Sequence, residues 1–400
     1  MDTRDIVIVG GGPAGISTAL HLAPLFGGSV VVLEKERYPR DKYCAGGIGA
    51  RALSLLREIG VGVRVPSVRI DAMSLVMDGE TFKLREPDLG IVVRRIEFDD
   101  AFARVARDRG IDMREGEGVL GLEPHAGGVR VRTASGEIEA RAIVGADGVA
   151  GITRKAAGFS KGSLRAQVIE LDTEITERDP APDTIHFDFG YRDLAGYAWD
   201  FPTIVNGQRK MCRGVYRILR PGEDDARTFL ARYLGAKGLA LGDYKEKPFA
   251  ERGFEPGEPI SRPRVLLAGE AAGIDIATGE GIAQAIQYGK LAGTYLAAAF
   301  SSGDLSFSDW TARVHASSLG RQLRTRFWLY ERLFGPRRAA MENIVRRSPR
   351  AIRLGLKSFA GKPFGPRDWA MGLLDVAPAV ATHGPRTALR LLRGEKGLSS

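Results

Sequence analysis

Near its start the sequence carries a short β-branched run, Asp5-Ile6-Val7-Ile8-Val9, that meets Gly10-Gly11-Gly12-Pro13-Ala14-Gly15 and passes straight into the apolar, helix-like stretch Ile16 to Ala23. Strand, glycine turn and helix in that order are the layout of a βαβ mononucleotide-binding unit. Gly10 permits the tight turn, Gly12 lets the backbone approach a pyrophosphate, and Gly15 lets helix and strand pack closely. The phosphates would then sit at the positive helix N-terminus. A second strand, Ser29 to Leu33, ends in Glu34, at the chain separation from the first glycine where an acid binds a ribose hydroxyl. An ordinary βα turn without ligand can share the glycines, but it does not require the acid or both flanking elements.

With 400 residues and 44% hydrophobic content, the chain can bury a substantial core, as two or three domains or as one large α/β domain with insertions. Lys and Arg number 58 against 49 acids, and arginines crowd the C-terminal part, among them Arg321, Arg324, Arg326, Arg332, Arg338, Arg350 and Arg353. Such a surface suits anionic lipid or an acidic substrate as well as a solvated helical face, and no nucleic-acid motif accompanies it. Nucleic acid is therefore not an expected partner. Two cysteines, Cys44 and Cys212, give no disulfide framework and cannot supply the four thiolates of an iron–sulfur cluster. No metal centre is expected. The first strand begins at residue 5, leaving no room for a signal peptide, and no apolar run approaches the roughly 18 residues of a membrane span. The expectation is a cytoplasmic protein, soluble or attached at the cytoplasmic face of a membrane.

After Glu34, the segment Lys35 to Ile48 lacks a clear period and holds Pro39, Arg40, Cys44, Ala45 and Gly46. It lies where strand ends open and ligands bind in doubly wound sheets. Cys44 there reads either as a small buried hydrophobe or as a site residue. Ala50 to Ile59 reads as a helix. Ser67 to Met77 and Thr81 to Leu84 read as a hairpin turned at Asp78-Gly79, and Asp100 to Arg109 as an amphipathic helix. A further hairpin pairs Val129 to Thr133 with Glu137 to Ala140, and a separate strand, Ala142 to Ala146, ends in Asp147-Gly148. From Arg165 to Ile218 the chain is β-rich, with strands at Gln167 to Thr173, Thr184 to Phe189 and Met211 to Ile218. Between them, Tyr197, Trp199 and Phe201 alternate and so share one face of a strand, as a core layer or as the wall of a ligand cavity. The chain then returns to the first domain through Arg264 to Ala268, the turn Gly269-Glu270-Ala271-Ala272-Gly273, the loop to Ile282, and the helix Ala283 to Phe300. Beyond it, prolines at 336, 349, 363, 366, 378 and 385 divide a helical region into short pieces.

Together these motifs resemble the FAD-dependent geranylgeranyl reductase family, within the flavoproteins that share the p-hydroxybenzoate hydroxylase fold. The resemblance covers roughly the first three hundred residues. Gly10, Gly12, Gly15 and Glu34 match the family's FAD fingerprint, and Pro39 to Gly46 looks like its P-x-x-K-x-C-G/A-G loop, whose cysteine lies near flavin and substrate. Arg95 matches an arginine that lies along the FAD, and Asp147-Gly148 with Arg154 matches a D-G-x-x-S-x-x-R segment. Gly269-Glu270 with Gly279-Glu280-Gly281 matches the region around the ribityl chain and flavin ring. Tyr197-Ala198-Trp199-Asp200-Phe201-Pro202 is similar to the family's Y-x-W-x-F-P, whose aromatics line a lipid cavity. Three positions depart: Glu270 stands at a usual aspartate, Gly151 at a serine, and Ile276 at a proline.

The resemblance implies FAD as cofactor, contacted by Gly10, Gly12, Pro13, Ala14, Gly15, Glu34, Lys35, Cys44, Ala45, Gly46, Arg95, Val119, Asp147, Gly148, Arg154, Gly269, Glu270, Gly279, Gly281 and Ile282. An apolar, isoprenoid-like substrate would lie against Tyr197, Trp199, Phe201 and Pro202, with Cys44 at the reacting face, positioning it or taking part in proton delivery. Without a second dinucleotide fingerprint, electrons would come from an external donor, NAD(P)H-linked or ferredoxin. A monooxygenase or halogenase shares the flavin motifs and is the alternative. The expected fold class is α/β (α+β): a Rossmann-like FAD-binding domain in parts 1–66, 94–160 and 259–300, an inserted antiparallel sheet from 67–93 and 161–258, and a helical region over 301–400.

Overall fold

The computed structural model describes residues 2–219, 225–336, 338, 342, 349–362 and 365. The opening run forms β1 (Asp2–Val9), α1 (Pro13–Phe26) and β2 (Val30–Glu34), followed by β3 (Gly47–Gly49) and α2 (Ala50–Glu58). Then come the hairpin β4 (Ser67–Met77) and β5 (Glu80–Val93), α3 (Arg95–Asp108), β6 (Asp112–Glu115), β7 (Val119–His125), β8 (Gly128–Thr133), β9 (Glu137–Gly145) and α4 (Ile152–Ala156). The β-rich part contributes β10 (Arg165–Thr173), β11 (Thr184–Asp188), β12 (Gly196–Val205) and β13 (Gln208–Ile218), then α5 (Ala226–Gly235) and β14 (Lys247–Arg252). The return consists of β15 (Ser261–Arg262), β16 (Val265–Leu267) and α6 (Ile282–Ser302), with α7 (Trp310–Ala316), α8 (Ser318–Leu333) and α9 (Pro349–Phe359) beyond.

In the first sheet, β16, β9, β1, β2 and β6 lie side by side and parallel. All five residues of β2 are buried, as a strand covered on both faces requires. The second sheet runs β14-β10-β13-β12-β11-β4-β5-β3. The sequence reading expects it to be antiparallel; one pairing, β4 with β11, is instead parallel, because β11 arrives from the far side of the sheet rather than through a hairpin. Asp78 and Gly79 both take positive φ, 51° and 80°, the geometry that a two-residue hairpin turn with right-handed twist demands.

Several element boundaries differ from the sequence reading, among them β5, which runs to Val93 where the reading stops at Leu84. Helix α3 starts at Arg95 rather than Asp100, since Phe98 and Phe102 both face the core and draw the first turn into the helix. The second hairpin strand and the strand ending at Gly145 are a single strand, β9. Its first half alternates buried and exposed beside β8 and its second half is buried on both faces between β1 and β16. Pro336 follows the end of α8 and Pro349 opens α9, whereas Pro363, Pro366, Pro378 and Pro385 lie outside the described residues. No helix among the described residues is long and apolar enough to cross a membrane. A cavity of about 950 Å³ opens at the carboxyl ends of β1 and β2 and extends across the face of the second sheet.

Candidate active site

The phosphate-binding end of the cavity is built by the first turn of α1. Its N-cap, Gly12, is extended (φ −77°, ψ −177°), no side chain caps the helix, and Pro13 occupies the first helical position. The first-turn N–H groups are therefore left for an anion, and the helix dipole favours one. A Cβ at Gly12 would meet nothing within 4 Å, whereas one at Gly10 would overlap the Ala146 carbonyl and one at Gly15 the Gly10 carbonyl. Gly10, Gly12, Pro13 and Ala14 line the cavity. Gly15 does not: its missing Cβ lets α1 close on the loop. Gly269 (φ 62°) likewise lies behind the wall, where its Cβ would press on that of Ala14 at 2.6 Å.

Beside this turn lies a chain of buried charges. Glu34 accepts the Gly11 N–H at 3.0 Å and pairs with Arg40 at 3.2 Å. Arg40 also reaches Asp99 at 2.9 Å, and Asp99 takes both arms of Arg95, each at 2.7 Å. Burial alone would raise the Asp99 carboxyl; Arg95 and Arg40 outweigh it and hold it below its usual range. The Tyr38 hydroxyl donates to the Gly11 carbonyl and closes the cluster over the glycine turn. Arg95, Lys35 and Val119 face the cavity with Glu34.

Cys44, Ala45 and Gly46 run along the cavity toward the second sheet. Gly46 (φ 77°) could not carry a side chain, since its Cβ would overlap the Val93 carbonyl. Its N–H donates to the Cys44 Sγ at 3.4 Å, while the Cys44 N–H donates to Glu170 Oε1 at 3.0 Å. From the other side the Cys212 thiol reaches Glu170 Oε2 at 3.8 Å, so the protein's two cysteines meet at one buried carboxyl. Burial pushes the Cys44 thiol up, against the opposing charge of Arg95, and keeps it protonated at neutral pH. Burial also pushes Glu170 up to about 7, against the pull of Lys247. A carboxyl raised in the folded state favours folding while it stays protonated, and that contribution is lost as pH climbs from the ordinary carboxylate range through 7. Glu170→Gln should therefore flatten part of the stability loss between pH 5 and pH 8, by up to roughly 3 kcal/mol. Urea midpoints of the two proteins across that range test this, and parallel curves would contradict it.

The sheet supplies an aromatic wall. Tyr197, Trp199 and Phe201 project from β12 into the cavity, with Phe187 packed edge-on to Phe201 at 5.4 Å and Tyr216 stacked on Tyr197 at 5.2 Å. Gly47 leaves room for Phe201, whose ring would stand 2.9 Å from a Cβ there. Pro202 does not line the cavity. The two-residue period of β12 turns it to the opposite face, with Asp200, which pairs with the fully buried Arg213 at 2.7 Å.

The cofactor-side loop completes the site. Gly279, Gly281, Ile282, Asp147, Gly148 and Glu270 all face the cavity. Arg154 does not: it is a strut behind the wall, donating to the carbonyls of Ala271 (3.1 Å) and Ser160 (2.6 Å) and to Glu258 (3.0 Å). Asp275 shapes the loop. Its Oδ1 accepts the N–H of Ala277 at 2.8 Å and of Thr278 at 3.1 Å, and Arg326 of α8 pairs with Oδ2 at 3.3 Å. Phe187, Glu170, Glu251 and Asp275 were not foreseen from the sequence. Only Phe187 carried a usable signal, its place in an apolar strand.

Comparison with known proteins fixes the family. Residues 3–196 match the FAD binding domain model. A digeranylgeranylglycerophospholipid reductase of Methanothrix thermoacetophila is 30% identical over 346 residues, 80% of this chain and 84% of that protein. The chain belongs to the FAD-dependent geranylgeranyl reductase family. A menaquinone reductase of Mycobacterium tuberculosis is also similar, 26% identical over 74% of this chain and 77% of its own. In fold, the crystal structure of a geranylgeranyl bacteriochlorophyll reductase-like protein from Thermoplasma acidophilum matches with a TM-score of 0.68, at 20% identity, over 98% of this chain and 99% of that one.

The site fits the family's flavin on its own geometry. The uncapped turn of α1 suits a pyrophosphate, and buried Asp147 Oδ1 and Glu270 Oε1 have no hydrogen-bond partner among the described residues, leaving acceptors for a hydroxyl-rich ligand. The family departures are accommodated locally. A Cβ at Gly151 would overlap the Asp147 carboxylate, so this Asp147 rotamer requires glycine there. Glu270 spends its extra methylene reaching Lys42, at 2.9 Å. Ile276, 1% exposed, turns away from the cavity into the core, and Asp275 shapes the loop in its stead.

Proposed function

We propose that the protein is a reductase that saturates carbon–carbon double bonds in an isoprenoid or similarly apolar substrate. The observation that carries this reading is the wall of Tyr197, Trp199 and Phe201, continued by Phe187 and Phe359, in one cavity with the uncapped α1 turn. Gly12 to Ala14 would hold the cofactor's pyrophosphate, Glu34 a ribose, and Glu270 with Gly279 to Ile282 the ribityl chain and ring. Bound FAD, once reduced, supplies a hydride. The chain's part is to align an alkene, a poor hydride acceptor, within a dry aromatic slot and to bring a proton to it. Cys44, its thiol protonated, packs against the substrate at the reacting face. An external NAD(P)H-linked or ferredoxin donor would restore the electrons. Membrane contact at the cytoplasmic face, through the arginine-rich C-terminal helices, would give access to a lipid-borne chain.

The test is mass spectrometry after anaerobic incubation of dithionite-reduced protein with geranylgeranyl lipids and with a polyprenyl quinone. A gain of one hydrogen pair per reduced bond is expected. An unchanged substrate without oxygen, and a hydroxylated or halogenated product with it, would overturn the reading in favour of the oxygen-dependent chemistry possible on the same fold.

A further inference from the structure

The wall that carries Tyr197 and Trp199 also carries a carboxyl that neither flavin fingerprint nor aromatic motif accounts for. Glu251, on β14, lines the cavity, and its Oε2 is buried without a hydrogen-bond partner among the described residues. The hydroxyl of Tyr216, which lines the same cavity, is buried as well and lies within reach of the Glu251 carboxyl without a well-formed hydrogen bond to it; the indole N–H of Trp199, on the same wall, is buried and has no partner among the described residues. Glu251 and Tyr216 converge with Tyr197 on the cofactor-side loop. A Cβ placed on Gly279 would lie 3.5 Å from Glu251 Oε2, 3.2 Å from the Tyr216 ring and 3.1 Å from the Tyr197 hydroxyl, which itself donates to the Thr278 carbonyl at 2.6 Å. A native fold seldom leaves a buried carboxyl oxygen facing a cavity without a well-formed hydrogen bond, unless a ligand or a reacting group completes it.

The charges around Glu251 set its protonation. Burial acts first and raises its carboxyl well above the usual range; Glu270 and Asp275 add like charge, and Lys42 opposes them. Lys42 is occupied by Glu270 and Asp275 by Arg326, so neither cation neutralises Glu251 directly. From the sheet it faces the phenols of Tyr197 and Tyr216, both raised by burial and neutral, and from the neighbouring loop the protonated thiol of Cys44.

On the strength of the proposed reduction, we propose that Glu251 is its proton donor, giving the carboxylic proton to one alkene carbon while Tyr216 holds the carboxyl toward the cavity. Hydride from the reduced cofactor forms the C–H bond at the other carbon. The π pair of the C=C bond forms the new bond to the Glu251 proton, and the cofactor ends oxidised by two electrons. The carboxylate left behind recovers a proton from water, with the partly exposed Lys42 beside Glu270 marking the wet end of the path. Cys44 then positions the substrate rather than protonating it.

Glu251→Gln keeps shape and removes the proton. With FAD bound at saturation it should reduce a geranylgeranyl substrate at least ~10²-fold more slowly, the usual loss when a positioned acid is removed. The alkaline limb of kcat expected of the parent protein should vanish in this variant. Tyr216→Phe, which removes a donor to the ionised form, should move that limb to higher pH. A second readout needs no turnover: the infrared difference between parent and E251Q chains without cofactor, at pH 7, should contain the carbonyl stretch of a protonated carboxylic acid. Parent-like rates and pH profile in E251Q, or a loss confined to flavin affinity, would overturn the assignment, as would a missing acid band. A parent protein inert toward every alkene would instead overturn the proposed function, and the band would still show whether Glu251 holds a proton.

Discussion

Replacing Asp99 by alanine should cost about 3–5 kcal/mol of stability, the loss expected when one partner of a buried ion pair is removed. Asp99 is 1% exposed and is held by two nitrogens of Arg95 and by Arg40, so the substitution strands the buried Arg95 guanidinium and leaves Arg40 with Glu34 as its remaining carboxylate beside the glycine turn. The pair is poorly placed for the helix itself, because its arginine sits at the positive end of α3 and its acid one turn further on. Its value lies in aiming Arg95 along the cavity. Urea unfolding of the cofactor-free chain measures the first effect, and flavin absorbance of the purified protein should show reduced FAD retention. Asp99→Asn, which keeps an acceptor, should fall between. A change under about 1 kcal/mol in the alanine variant would mean that Arg40 and Arg95 find other partners.

Cys44→Ala should lower kcat for alkene reduction by about 10²-fold while leaving FAD binding within a few-fold of the parent. The bond to Glu170 runs through the backbone N–H and survives the substitution. Its thiol accepts the Gly46 N–H at 3.4 Å in the cavity lining, and a substrate free to shift there by an ångström would lose its alignment with the hydride source. Cys44→Ser, of similar size, should retain most of the rate. Full turnover of the alanine variant on a geranylgeranyl substrate would remove Cys44 from the reaction.

The cofactor half of the site was legible because its requirements are local. Gly10, Gly12 and Glu34 occupy fixed places around a strand and a turn, and one stretch of chain states them all. The aromatic wall was legible through strand alternation, and the same alternation rejects Pro202, which a motif taken whole had carried along. The acids were not legible. Glu170 meets Cys44 from 126 residues away, and Glu251 meets Tyr216 only because β14 joins the sheet at its far edge through β10. An isolated glutamate in a strand carries no mark of the low-dielectric pocket that another element will later build around it. Arg154 errs the other way: a motif position kept its residue type but serves here to tie α4 to the turn after β16.

The far helix closes this cavity in an undemanding way. Phe359 and Ala360 line it, and the hold on the cofactor-side loop passes through Arg51, which joins Glu280 at 3.3 Å to the backbone carbonyl of Ser358 at 3.0 Å. A carbonyl makes the same bond whatever side chain it belongs to. Side chains at this end of the cavity can therefore change size without loosening the grip beneath them.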